Sequence, residues 1–229
     1  YPTSKADINK CDLAIVCVPT PESEDGADIS IVEEVISWIE SPLILLKSTV
    51  PPGTTDYLSR KYNKCIVFSP EYCGESSYWT PYKFHTDIKE TPFFIFGGDK
   101  LDTSDIVDFF LPVTGPVKTY RQTGAREAEM AKYMENTFYA TKITFCYEMS
   151  EICEHASIDF NEVRELWLLD PRINPMHTAV FKDNKKPFSG KCLPKDTSAL
   201  ISYAEKIGYD PILLKEVLNS NERIGQIRS

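Results

Sequence analysis

The chain has 229 residues, 42% of them hydrophobic, and a formal charge of 25 − 34 = −9 with its three histidines neutral. That apolar content supports a packed core and argues against disorder, and the length suits one large domain or two small ones at about 100–200 residues each. The acidic balance argues against nucleic acid or an anionic membrane as the main partner, and no apolar run approaches the roughly 18–20 residues of a membrane span.

In chain order, the first segment, "YPTSKADINK", is polar and lacks a signal-peptide core. "CDLAIVCVP" (11–19) reads as a strand covered on both faces. The polar loop "TPESEDGAD" follows. "SIVEEVISWIE" (30–40) then carries Val32, Val35, Ile36 and Ile39 at helical spacing, with Ser30 and Glu33 placed for a capping box. "LILLKST" (43–49) is a second buried strand, and "VPPGTTDYLSRKY" is a turn opening a helix. "CIVFSP" (65–70) and "PFFIFGG" (92–98) are two more strands, separated by a long loop. Residues 103–111 read as a helix and "PVKTY" (116–120) as an edge strand. Alternation of this kind predicts an α/β fold with a doubly wound, Rossmann-like parallel sheet.

After Gly124 the texture changes. No proline or glycine occurs from 125 to 156. This predicts a helix of about 30 residues, roughly 45 Å long, of the sort that forms a spine or a dimer interface. "FNEVRELWLL" (160–169), "DTSALISYAEKIG" (196–208) and "PILLKEVLNSNERI" (211–224) read as further helices, with a proline-containing loop over 170–191. The expected division is therefore an α/β part at 1–122, the C-terminal portion of a Rossmann-like sheet, and an all-helical part at 123–229.

Two clusters carry chemistry. Lys132 and Asn136 lie four apart on the long helix, so they share a face. An amine and an amide there could hold an oxygen that gains negative charge, and the same spacing also describes an ordinary solvent-facing pair. In "GKCLPKD" (190–196), Lys191 and Lys195 flank Cys192. The thiolate is the reactive form of cysteine, and neighbouring positive charge favours it. Gly190 allows close approach of a ligand, and Asp196 is placed to cap the next helix or to orient a water or base. An ordinary loop cysteine before a capped helix fits the same letters. The seven cysteines are odd in number and contain no CxxC pair, so they read as reduced, mostly buried thiols of a cytoplasmic protein, with no metal expected. Thr20, Ser48, Thr49 and Glu71 follow the C-terminal ends of predicted strands, the edge where open α/β sheets bind ligands. Each is also an unremarkable turn or loop residue.

Taken in order, "VCVPTP", "LLKSTVPPGTT", "SPEY", "AEMAKYMENTFYATKITFCYE" and "GKCLPKDTSAL" resemble the UDP-glucose/GDP-mannose dehydrogenase family from about residue 10 to 225. The resemblance implies NAD-dependent oxidation of the C6 hydroxymethyl of a nucleotide sugar to a uronic acid, for polysaccharide biosynthesis, through a cysteine thiohemiacetal and thioester. It implies Cys192 as nucleophile, Lys132 and Asn136 as oxyanion holders, and Asp196 in base and water activation. Glu71 and Thr49 would position water. Thr20, Ser48 and Thr49 would lie near the dinucleotide, and Lys195 near the junction of cofactor and substrate. A homodimer through the long helix is expected separately, because that helix's apolar positions extend around much of its circumference.

There are departures from the family pattern. Ser189 replaces a glycine before the cysteine, and "YCGESSYW" lacks an arginine common there. No GxGxxG occurs, so the chain reads as a fragment without the phosphate-binding unit and the C-terminal domain, inactive by itself. The alternatives are a non-catalytic dimerisation or scaffold module of that descent, and a β-hydroxyacid-type dehydrogenase. Cys192 and "LPKD" argue against the last.

Overall fold

Three apolar runs near the N-terminus form neighbouring strands on one side of a five-stranded sheet. The computed structural model describes residues 4–23, 26–73, 87–181 and 186–227. It divides into two units, Tyr1–Lys132 and Tyr133–Ser229.

The first unit begins with α1 (Lys5–Ile8) and β1 (Leu13–Val16), followed by β2 (Glu22–Ser23) and β3 (Gly26–Ala27). It continues through α2 (Ser30–Trp38), β4 (Leu43–Leu46), α3 (Thr54–Tyr62), β5 (Cys65–Phe68), β6 (Phe93–Gly97), α4 (Lys100–Thr114) and β7 (Thr119–Thr123). The sheet order is β1-β4-β5-β6-β7. Strand side chains alternate between faces. Ala14, Val16, Ile44, Leu46, Ile66 and Phe68 therefore pack on one side with Val32 and Ile36 of α2 and Leu58 of α3. Leu43, Leu45 and Val67 face the other way, with Phe94, Phe96 and Ile106 of α4. The result is a helix–sheet–helix sandwich, the mixed α/β class expected.

Several local expectations are corrected. The sheet is parallel at β1–β4, β4–β5 and β6–β7, but β5 and β6 run antiparallel and pair through Phe68 and Gly97. The described part of their connection includes a 3-10 turn at Ile88–Glu90. The polar loop after β1 contains the β2–β3 hairpin, where Gly26 takes φ 108°. The capping box at Ser30 and Glu33 does not form. Asp28 accepts the Ser30 N–H, while Glu33 pairs with Lys61 and accepts from Tyr62 of α3. A cation and a phenol on the neighbouring helix outcompete the local backbone N–H. Strand β7 lies three residues later than expected, because 116–118 form the turn into it. Only Cys146 and Cys153 are buried, since Cys17 and Cys65 sit at strand ends and Cys192 at a helix start.

The long helix α5 (Ala125–His155) forms as expected. Its first two turns belong to the first unit because Ala128 joins that core. A Cβ on Gly97 would lie 2.5 Å from the Ala128 Cβ, so only glycine lets α5 approach β6 this closely.

The second unit contains the rest of α5 with α6 (Phe160–Trp167), α7 (Leu193–Lys206) and α8 (Ile212–Ile227). Ala140, Phe188 and Val217 form its core cluster, supported by Ile143, Leu193 and Leu218. Asn221 fixes the segment before α7 by accepting the Phe188 N–H at 3.0 Å. Helix α7 starts three residues before the expected position, with Cys192 at the N-cap and Pro194 in the first turn. Proline suits that turn because its missing N–H would have no helical partner there.

Candidate active site

In the first unit the candidate groups gather at the exits of β1, β4 and β5. The Ser48 hydroxyl donates to the Val18 carbonyl at 2.7 Å and accepts the Val18 N–H at 2.8 Å. The Thr20 hydroxyl donates to the Thr49 carbonyl at 2.8 Å. Both hydroxyls thus tie the loop after β1 to the loop after β4, and Thr49 is held by its backbone with its side chain half-buried.

Glu71 folds back on its own turn. Its Oε1 accepts the N–H groups of Tyr72 and Cys73, and its Oε2 lies 3.3 Å from Lys47 Nζ. Burial pushes the Glu71 carboxyl up, but Lys47 and the Cys73 N–H outweigh it and hold the group below the ordinary range. Lys132 points its ammonium over the Tyr72 ring, 4.9 Å from the centroid, which supports the cation on an aromatic face. Lys47 and Tyr72 were not among the sequence candidates. Their signals were a lysine closing an apolar strand and an aromatic beside the expected carboxylate.

Glu129 was also missed, and it is fully buried. Its Oε2 accepts the Gly53 N–H at 2.5 Å, and its Oε1 accepts the Thr55 N–H at 2.8 Å and the Thr55 hydroxyl at 2.6 Å. Gly53 is the N-cap of α3, with φ 96° and no side chain to cap the helix. A carboxylate from α5 therefore caps it from outside. Burial pushes this carboxyl up to about 7 against the three donors, and Asp56 adds to the rise. The unfolded group titrates near 4.5. Between those values the folded chain holds a proton the unfolded chain has released, so this group's contribution to stability falls as pH rises through the window and is flat above it. The total is on the order of 3 kcal/mol. Thermal unfolding from pH 5 to 8 is expected to show this decline in the native chain and to lose it in Glu129→Gln. Parallel curves for the two proteins would refute the assignment.

In the second unit Asn136 and Asp196 are both buried, so Asn136 is not a solvent-facing residue. Asn136 Nδ2 donates to Asp196 Oδ2 at 2.5 Å, and Lys195 Nζ lies 2.6 Å from Asp196 Oδ1. Asp196 is not an N-cap, because α7 has already begun. Its own N–H donates to the Cys192 carbonyl at 2.8 Å. The exposed Cys192 sits at the start of this 14-residue helix, where the aligned peptide dipoles favour negative charge. A Cβ on Gly190 would meet nothing within 4 Å, so the backbone there is open to a ligand.

The structure thus joins Thr20, Ser48 and Thr49 in one loop anchor, Glu71 to Lys47, and Asn136 to Asp196 and Lys195. Lys132 and Asn136 stand one turn apart on α5. As a place for a dinucleotide, the strand-exit edge has one further feature. The Ser69 hydroxyl at the end of β5 is buried and meets no hydrogen-bond partner among the described residues, and such an atom calls for a ligand or water.

The model of the UDP-glucose/GDP-mannose dehydrogenase family, NAD binding domain, matches residues 2–108, and that of the same family's central domain matches 126–223. UDP-glucose 6-dehydrogenase YwqF of Bacillus subtilis (strain 168) is 32% identical over 228 residues, covering 93% of this chain and 49% of the relative. UDP-glucose 6-dehydrogenase AglM of Haloferax volcanii is 30% identical, covering 96% of this chain and 54% of its own length. A solved UDP-glucose dehydrogenase from Pyrobaculum islandicum superposes with TM-score 0.82 at 28% identity, covering 97% of this chain and 53% of that one. The chain spans about half the length of the curated relatives it matches.

Proposed function

The chain belongs to the UDP-glucose/GDP-mannose dehydrogenase family, with NAD as cofactor, and from that premise we propose that it serves the two-step oxidation of a nucleotide sugar to its uronic acid. The observation that carries the reading is the second unit's network. An exposed sulfur heads α7, and one turn along the same helix a buried aspartate is bonded by an amide and a lysine.

NAD, when bound, supplies the hydride acceptor for both oxidations. Lys132 assists loss of the hydroxyl proton as the C6 alcohol becomes an aldehyde. The Cys192 thiolate then adds to the aldehyde carbon, forming a C–S bond while the carbonyl electron pair moves onto oxygen. Lys132 and Asn136 stabilise that oxyanion. Oxidation of the thiohemiacetal restores the C=O bond and leaves a thioester on Cys192. A water placed with the help of Thr49 and Glu71, and activated with the help of Asp196, adds to the thioester. The C–S bond breaks and the thiolate is recovered with the carboxylate product. Asp196 holds Asn136 and Lys195 in place throughout. Thr20 and Ser48 serve the dinucleotide by fixing the two loops on which it would rest.

The named relatives make UDP-glucose the first substrate to try. Two NADH formed per carboxylate, from a UDP-sugar or GDP-mannose, is the expected result. Absence of NADH with every nucleotide sugar, in intact protein, would favour a scaffold role. We place the reaction in the cytoplasm, where the seven cysteine thiols stay reduced. Among the described residues, no helix is long and apolar enough to cross a membrane.

The partner we propose is a second copy of the chain. Met134, Phe138, Phe145 and Ile152 are exposed along α5. They are spaced by four, seven and seven residues, which makes one stripe on a helix. Sedimentation is expected to give a dimer mass, and Phe138→Glu with Phe145→Glu a monomer. A monomeric native protein at micromolar concentration would overturn the assembly.

A further inference from the structure

Glu129 belongs to none of the roles above, yet it is the buried link between two groups that have them. Three residues before Lys132 on α5, it holds the start of α3, which follows directly on the loop carrying Thr49. The other end of that loop is already fixed by Ser48 and Thr20. Between these anchors, Val50 is buried and 51–52 are both proline, so the segment has little freedom. Outside the link, Arg126 Nε lies 3.0 Å from Asp56 Oδ2 in an exposed pair between the same two helices.

We propose that Glu129 is a positioning residue that sets the register between the Thr49 loop and the turn of α5 bearing Lys132. The inference rests on the reading of Thr49 and Lys132 as working groups. The carboxylate bridges two backbone N–H groups and a hydroxyl. Glutamine could keep the Thr55 contacts, but its amide nitrogen would face the Gly53 N–H donor to donor. Aspartate, one methylene shorter, would not reach both partners. A shift of about 1 Å between reacting groups can cost roughly 100-fold in rate.

The test uses Glu129→Gln in the intact protein, with Arg126→Ala as the control that breaks only the exposed pair. Amide hydrogen exchange at Gly53 is expected to quicken at least about 10-fold in the glutamine variant and stay native-like in the control. The NMR signals of the Lys132 side chain and of Thr49 are expected to move together. Turnover is expected to fall about 10- to 100-fold at nearly constant KM for the nucleotide sugar. Unchanged exchange at Gly53 would overturn the proposal. So would faster exchange with Lys132, Thr49 and kcat all unmoved, since that is a cap with only a structural role. A wild-type protein without turnover would count against the proposed function, and exchange with the NMR shifts would still decide the positioning role.

Discussion

A Cys192→Ser variant is expected to perform the first oxidation and stop before the carboxylate. Serine keeps the size and exposure of the side chain but is poorly ionised near neutral pH, so addition to the aldehyde should slow by about 1,000-fold or more. Product analysis should show aldehyde-level sugar or a trapped hemiacetal, and about one NADH per sugar consumed. The fold should be undisturbed, because Cys192 is exposed and makes no side-chain cap for α7. Alkylation offers a second measurement that does not need turnover. Iodoacetamide should modify Cys192 faster than Cys146 and Cys153, which are buried. Undiminished carboxylate formation by the serine variant would remove the nucleophile from the mechanism.

What could be read from the letters was whatever depends on short-range pattern. The runs around Leu13, Leu43, Cys65 and Phe93 are apolar enough to be strands in any context, and a proline- and glycine-free stretch had to be the long helix. Three kinds of feature escaped. Direction in a sheet is a property of connections, so the antiparallel step at Phe68 and Gly97 left no mark. Capping is a competition: Glu33 looked like a local cap, and its place was decided by Lys61 and Tyr62, about 30 residues away. Distant pairings were invisible for the same reason. Nothing in "AREAEMAK" says that its second glutamate caps a helix opening 75 residues earlier. Asp196 shows the reverse case. The resemblance makes it a candidate site residue, while its local reading as an N-cap misses by one turn because Pro194 has already started the helix.

The second large effect is expected at Asp196, and it should appear in stability as well as rate. The residue is 1% exposed, and each of its oxygens has a donor, Asn136 on one side and Lys195 on the other. Asp196→Ala leaves an amide and an ammonium facing an uncharged gap. Removing one partner of a buried, charge-assisted pair costs about 3 kcal/mol or more, well above the net worth of the bond itself. Asp196→Asn is the more informative change. Its carbonyl can serve one donor, but its NH2 must then face the other, so the Asn136 amide and the Lys195 ammonium cannot both be kept in place. Thermal unfolding should fall strongly for alanine and less for asparagine, while turnover falls by about 100-fold or more in both. A double-mutant cycle with Asn136→Ala should return a coupling of about 1–3 kcal/mol. Zero coupling, with an unfolding midpoint unmoved by alanine, would mean that the aspartate does not hold the amide, and the oxyanion role given to Asn136 would lose its structural support.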